Sequence, residues 1–186
     1  VICDIGPLKN IAEAIKRDPE FAGNVGQLVI MGGAFEVAGN ITPAAEANIW
    51  HDAQAADDVF ASGLNTVMIG LNATMQTLLT TDDFATMAQT SPKVGGFIDR
   101  ISMFYLEFYR SVGLTDGCPM HDATAVLACT DPDRFQMHHT GLRVELAGDA
   151  LGQTVADPTR PPVAVALGVD AAWAVAHVHA AIATLD

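Results

Sequence analysis

The chain has 186 residues, half of them hydrophobic, a length and composition that suit one domain with a single core. Its formal net charge of -13 argues against any broad nucleic-acid surface, because a polyanion would be repelled. No apolar run approaches the ~18–20 residues of a membrane span; the most apolar stretches, 27–31, 67–71 and 163–167, are of strand length. Cys3, Cys118 and Cys129 are odd in number and lack metal-type spacing, so they read as reduced packing thiols. With no cationic leader ahead of an apolar segment, a cytoplasmic location is the expectation. The chain opens at Val1 in an apolar run without an initiator methionine, and an upstream segment is therefore expected.

The run Val1-Ile2-Cys3 predicts a strand. Pro7 suits a first helical turn, and Leu8, Ile11, Ala12 and Ile15 recur at helical spacing until Asp18-Pro19. Residues 28–31 predict a strand ending at Gly32-Gly33, followed by a long loop over 34–49. Asp52 caps a helix over 53–61, stopped by Gly63, and 66–71 is the next strand. Asp82 or Asp83 starts a helical region, and 95–111 reads as a long helix. His121-Asp122 precedes a helix ending near Thr130. Leu142, Val144 and Leu146 alternate as in a strand, 163–167 is another, and 171–185 a closing helix. Strands separated by helices predict an α/β fold: a Rossmann-like open, mainly parallel sheet flanked by helices, all in one domain over 1–186. In such sheets ligands lie at the carboxyl ends of the strands.

Three constellations carry candidate chemistry. The loop from Gly39-Asn40 to Glu46-Ala47-Asn48 offers two carboxamides and a carboxylate that suit sugar hydroxyls, or else serve the loop's own backbone. His121-Asp122 pairs an imidazole with a carboxylate, as a general acid beside a metal ligand or as a helix cap. Tyr105 and Tyr109 lie one helical turn apart, either as an aromatic wall for a flat base or as core. The other histidines, His51, His138, His139, His177 and His179, show no ligand-like arrangement.

Taken in order, these segments resemble the nucleoside hydrolase family. Gly6-Pro7-Leu8-Lys9-Asn10-Ile11-Ala12 is similar to its GPLTNIA turn, with Lys9 in place of threonine. Val29-Ile30-Met31-Gly32-Gly33-Ala34-Phe35 resembles VLMGGAF, and Gly39-Asn40 through Asn48-Ile49 resembles GN…PxAEFNI. Asp52 through Ala56 is similar to the DPEAA helix start, and Gly70-Leu71-Asn72-Ala73-Thr74 to GLDVT. His121-Asp122-Ala123 resembles HDP or HDA, and Gly152-Gln153-Thr154-Val155 the late GQTV hairpin. Each motif alone is weak; the ordered set spans almost the whole chain.

The resemblance implies hydrolysis of the N-glycosidic bond of a ribonucleoside by a Ca²⁺-bound water. It assigns the Ile5 carbonyl and the Asp122 carboxylate to the metal, Met31, Asn40, Glu46 and Asn48 to the ribose, and His121 to the leaving base as general acid. Tyr105 and Tyr109 are expected on the base side. It further implies a ribonucleoside partner and, since family members are commonly dimers or tetramers, a homo-oligomer; charge and hydropathy already argue against nucleic acid and membrane as partners. The family's DxDxGxDD motif does not occur in these residues, Ala47 replaces a phenylalanine, and Asn72 replaces an aspartate. The expectation for this chain alone is therefore weak or absent Ca²⁺ binding and no activity. The alternative is a non-catalytic, ligand-binding module of the same fold.

Overall fold

The computed structural model describes residues 1–186. The elements run β1 (Ile2–Asp4), α1 (Lys9–Arg17), α2 (Phe21–Asn24), β2 (Leu28–Met31), α3 (Ala47–His51), α4 (Ala53–Ala61), β3 (Thr66–Ile69) and α5 (Leu71–Thr74). The second half continues with β4 (Leu78–Leu79), α6 (Thr81–Thr90), α7 (Val94–Ser111), β5 (Cys118–Pro119), α8 (His121–Thr130), β6 (Phe135–Val144), β7 (Thr154–Ala156), β8 (Pro162–Val169) and α9 (Ala171–Ile182).

Six strands form one sheet in the order β1-β2-β3-β8-β6-β7. The first four are parallel, and β6 and β7 add an antiparallel edge. Successive side chains of a strand point to opposite faces, and the core divides accordingly. Leu28, Ile30, Met68, Val163 and Val165 pack on one face with Ile11 of α1 and Val59 and Phe60 of α4. Val29, Met31, Val67, Ile69 and Ala166 pack on the other with residues of α5 to α9, among them Phe84, Leu106, Ala125 and Ala174. Strands apolar on both sides need helices on both sides, which makes this a three-layer α/β fold as expected.

Several local expectations are corrected. Leu71 is not the end of a strand but the first residue of α5, because Gly70 turns the chain and Leu71 N–H bonds to the Gly33 carbonyl. The loop after β2 ends early, in α3, whose N-cap is Glu46. The cap of α6 is Thr80, with Asp83 closing a capping box. The β6 strand begins at Phe135, well before Leu142, and Leu146 lies beyond its end. Asp52 caps α4 through Ala55 N–H, as its position suggests.

No helix is long and apolar enough to cross a membrane. All three cysteines are free, and Cys3 is held by burial, and then by neighbouring Cys129, up to about 12. That inert thiol agrees with the packing reading. One outer face of α7 stays apolar without cover, with Phe97, Ile101, Phe104 and Phe108 exposed.

Candidate active site

The candidate residues gather at the carboxyl ends of β1, β2 and β3. Strand β2 delivers Met31 and then Gly33, whose backbone has φ +90. A Cβ there would lie 2.6 Å from Met68 Sδ, so only glycine makes this turn without strain. The turn aims Gly33 N–H at Glu46 Oε2, 3.0 Å away. Glu46 also accepts from Asn48 N–H on Oε1 (3.0 Å) and from Ile49 N–H on Oε2 (3.2 Å). With 2% exposure and three backbone donors, its carboxylate chiefly fastens the polar loop to the end of β2. Burial pushes its carboxyl above the ordinary value, and the three backbone N–H groups oppose that shift.

Asn48 is thereby set over the strand ends. Its Nδ2 donates to the Met31 carbonyl (3.0 Å), contacts Met31 Sδ (3.3 Å) and reaches the Ile5 carbonyl (3.4 Å). Its Oδ1 has no partner within the chain. Asn40, in the exposed part of the loop, accepts Ala47 N–H on Oδ1 at 3.0 Å and leaves its amide group unpaired. Of the loop's polar groups, then, Glu46 already holds three backbone donors, while Asn40 and Asn48 each keep one amide atom unpaired.

On the other side, α7 carries the tyrosines and α8 the histidine. Tyr109 is buried and its hydroxyl lies 2.7 Å from His121 Nε2. Tyr105, 40% exposed, meets Tyr109 hydroxyl to hydroxyl at 3.3 Å, with the rings edge to face at 4.9 Å. Tyr109 belongs to the core cluster, and Tyr105 continues it to the surface. His121 Nδ1 lies 2.8 Å from Thr74 Oγ1. Burial lowers the imidazole to about 4, which leaves it neutral at neutral pH. Burial likewise raises both tyrosines, Tyr109 the more strongly.

His121 is the first residue of α8, not a loop residue before it, and Asp122 caps nothing. Asp122 makes no hydrogen bond or ion pair, and partial burial pushes its carboxyl up. Its charge is felt by Cys3 on β1 and by Tyr105 on α7, which sets it between the two halves. An unpartnered carboxylate is chemistry suited to a hard cation. Ca²⁺ takes six to eight oxygens, however, and no three acidic, histidine or cysteine side chains converge anywhere in the chain. The Ile5 carbonyl and the Asp122 carboxylate do not by themselves make up such a set.

Two residues at this site escape sequence reasoning. Thr74 was legible only as the last letter of Gly70-Leu71-Asn72-Ala73-Thr74, with nothing to assign it to His121, 47 positions away. Asp4, buried at the end of β1, binds its own turn by accepting Gly6 N–H at 3.1 Å. Asn72, where the motif carries aspartate, donates to the Phe35 carbonyl (2.8 Å) and accepts Phe35 N–H (3.1 Å). An aspartate lacks that donor.

The family model for the inosine-uridine preferring nucleoside hydrolases matches residues 1–176. The chain belongs to that family. It is 38% identical over 151 residues to a probable uridine nucleosidase 2 of Arabidopsis thaliana, covering 81% of this chain and 47% of the relative. Among solved structures, the plant nucleoside hydrolase PpNRh1 superposes with a TM-score of 0.93 at 33% identity, covering 100% of this chain and 62% of that one. A purine-preferring ribonucleoside hydrolase from Gardnerella vaginalis also gives 0.93, at 34% identity, covering 98% and 60%. The chain spans about half the length of the curated relatives it matches.

Proposed function

We propose that these residues form the ribose-binding and base-facing part of a ribonucleoside N-glycosidase. The observation that carries this is the presence of two half-free carboxamides in the loop after β2, one of them (Asn48) tied to the ends of β1 and β2, together with a hydroxyl–imidazole chain on α7 and α8. Asn40 and Asn48 orient the sugar hydroxyls with their unpaired amide atoms, over a loop held rigid by Glu46. As the glycosidic bond breaks, its electron pair leaves with the base and positive charge builds on the ribose. The unpartnered carboxylate of Asp122 is suited to stabilise that charge. The departing base receives a hydrogen bond from Tyr105, supported through Tyr109 by His121, and this is how His121 assists the leaving group. Tyr105, edge-on at the surface, also supplies an aromatic wall for the base.

The family resemblance implies a Ca²⁺ ion that would activate the attacking water; the Asp122 carboxylate and the Ile5 carbonyl would hold it in part, and the chain's residues do not provide the rest of its ligand set. We therefore propose that the 186 residues alone bind Ca²⁺ weakly or not at all and release no base. Whether uridine or a purine nucleoside is preferred is not set by the ribose side, and similar proteins are named for either class. The test pairs two measurements. Base release from a panel of purine and pyrimidine nucleosides by the protein containing this chain, with and without Ca²⁺, is expected to be metal-dependent. A Ca²⁺-loaded protein inert toward the whole panel overturns the enzyme reading in favour of a ligand-binding module. Calorimetry on the 186-residue chain is expected to show no tight Ca²⁺ binding, and tight binding refutes the incomplete-site reading.

A further inference from the structure

We infer that Thr74 is a positioning residue that gives the His121–Tyr109–Tyr105 chain a single direction, leaving the Tyr105 hydroxyl as the donor at its open end. The inference rests on the base-facing role proposed for these tyrosines.

Thr74 is completely buried, and its hydroxyl has one hydrogen-bond partner, His121 Nδ1 at 2.8 Å. Its backbone is spent elsewhere: its N–H bonds to the Gly70 carbonyl, and its carbonyl accepts the Thr77 hydroxyl. A hydroxyl always carries a hydrogen, and a buried one left without an acceptor is costly. The Thr74 hydrogen has only Nδ1 to go to, so Nδ1 is the acceptor. An imidazole that accepts on Nδ1 carries no hydrogen there, so its one N–H sits on Nε2. Nε2–H donates to the Tyr109 oxygen at 2.7 Å. Tyr109 in turn donates to Tyr105 at 3.3 Å. The Tyr105 hydroxyl hydrogen has no acceptor in the chain and faces outward. Were Thr74 an acceptor instead, each bond would reverse and Tyr105 would end the chain as an acceptor, the wrong polarity for an electron-rich leaving base.

The fold holds this spacing. Thr74 ends α5 shortly after β3, His121 begins α8, and the hydroxyl of Thr77, in the turn after α5, meets that of Thr124 in α8 at 2.7 Å. Long-range proton–nitrogen correlation on protein labelled with ¹⁵N-histidine reads the tautomer directly, with His121→Gln to assign the signals. His121 is expected to show a protonated, pyrrole-type Nε2 and a pyridine-type Nδ1 at neutral pH. In Thr74→Val the Nδ1 resonance moves to higher frequency as its donor is lost, and in Thr74→Ser it stays at the wild-type position. A pyrrole-type Nδ1 in the wild type overturns the inference, and so does an Nδ1 resonance unmoved by Thr74→Val. If the valine variant does not fold, the wild-type tautomer alone decides. The measurement needs no ligand or turnover, so its failure is distinct from that of the base-facing role, which base release by a Tyr105→Phe variant of the active protein tests.

Discussion

Replacing Glu46 by glutamine probes the joint between the polar loop and the sheet. The carboxylate holds Gly33 and Ile49 N–H on one oxygen and Asn48 N–H on the other. Glutamine keeps one acceptor oxygen, so with Gly33 and Ile49 satisfied its NH₂ faces Asn48 N–H, donor against donor. One unsatisfied buried donor costs about 1–3 kcal/mol, and the two remaining bonds lose their charge assistance. Relief of a desolvated charge offsets part of this, and a net loss of about 2 kcal/mol is expected. For a chain of this size that lowers Tm by roughly 4–8 °C. The pH dependence adds a second constraint. Burial raises the Glu46 carboxyl above its ordinary 4.5, so the folded state binds this proton more tightly than the unfolded state does. That contribution is present below 4.5 and is lost as pH rises through the raised value, whereas glutamine does not titrate. The gap between wild type and Glu46→Gln should therefore be widest at the acid end and narrow as pH rises. Urea denaturation across this range reads both effects. A variant within about 0.5 kcal/mol of wild type at every pH would show that Glu46 does not hold the loop.

Two further substitutions address the scaffold. Asp57 accepts Arg160 Nη1 at 2.6 Å and Nη2 at 3.1 Å, and also Val144 N–H at 2.8 Å, tying α4 to β6. Asp57→Ala removes both short guanidinium contacts and the acceptor of Val144 N–H, leaving the partly buried Arg160 with Asp157 at 3.7 Å, and should cost about 2 kcal/mol by chemical denaturation; a loss below about 1 kcal/mol contradicts that accounting. Thr80→Ala removes the cap of α6 and should cost about 1 kcal/mol. Burial opposes ionisation of Asp83, yet hydrogen bonds from Thr80 and His179 outweigh it and hold the carboxyl below 3.8. The stability this confers is present above 3.8 and lost as pH falls through the lowered value, so the alanine variant should show a shallower acid decline. An unchanged acid profile would count against the Thr80 contribution.

The sequence was most readable where local signals agree. The apolar run before Gly32-Gly33 ends β2 as expected, and Asp52 caps α4 because a short acceptor stands directly before an amphipathic stretch. Helix α3 was hidden because five residues carry too little periodicity, and its cap, Glu46, is an unusual one. Asp82 and Asp83 drew attention from Thr80, whose box closes with aspartate in place of the usual glutamate or glutamine. At the site, composition marked Asn40, Glu46 and Asn48 but not their division of labour. That division depends on Gly33, Met31 and Ile5 arriving from two strands, a fact of sheet register with no local trace. The Thr74–His121 contact was unreadable for the same reason.

The two sides of the site are built on different footings. Asn48 and Glu46 are tied to strand ends in the middle of the fold, whereas Tyr105 and Tyr109 ride on α7, whose outer aromatic face stands clear of the core. Under the function proposed above, selection can work on α7, changing which bases are accepted, while the sugar-facing loop stays as it is. A lineage could diverge in base preference by repacking one helix, without rebuilding the sheet beneath it.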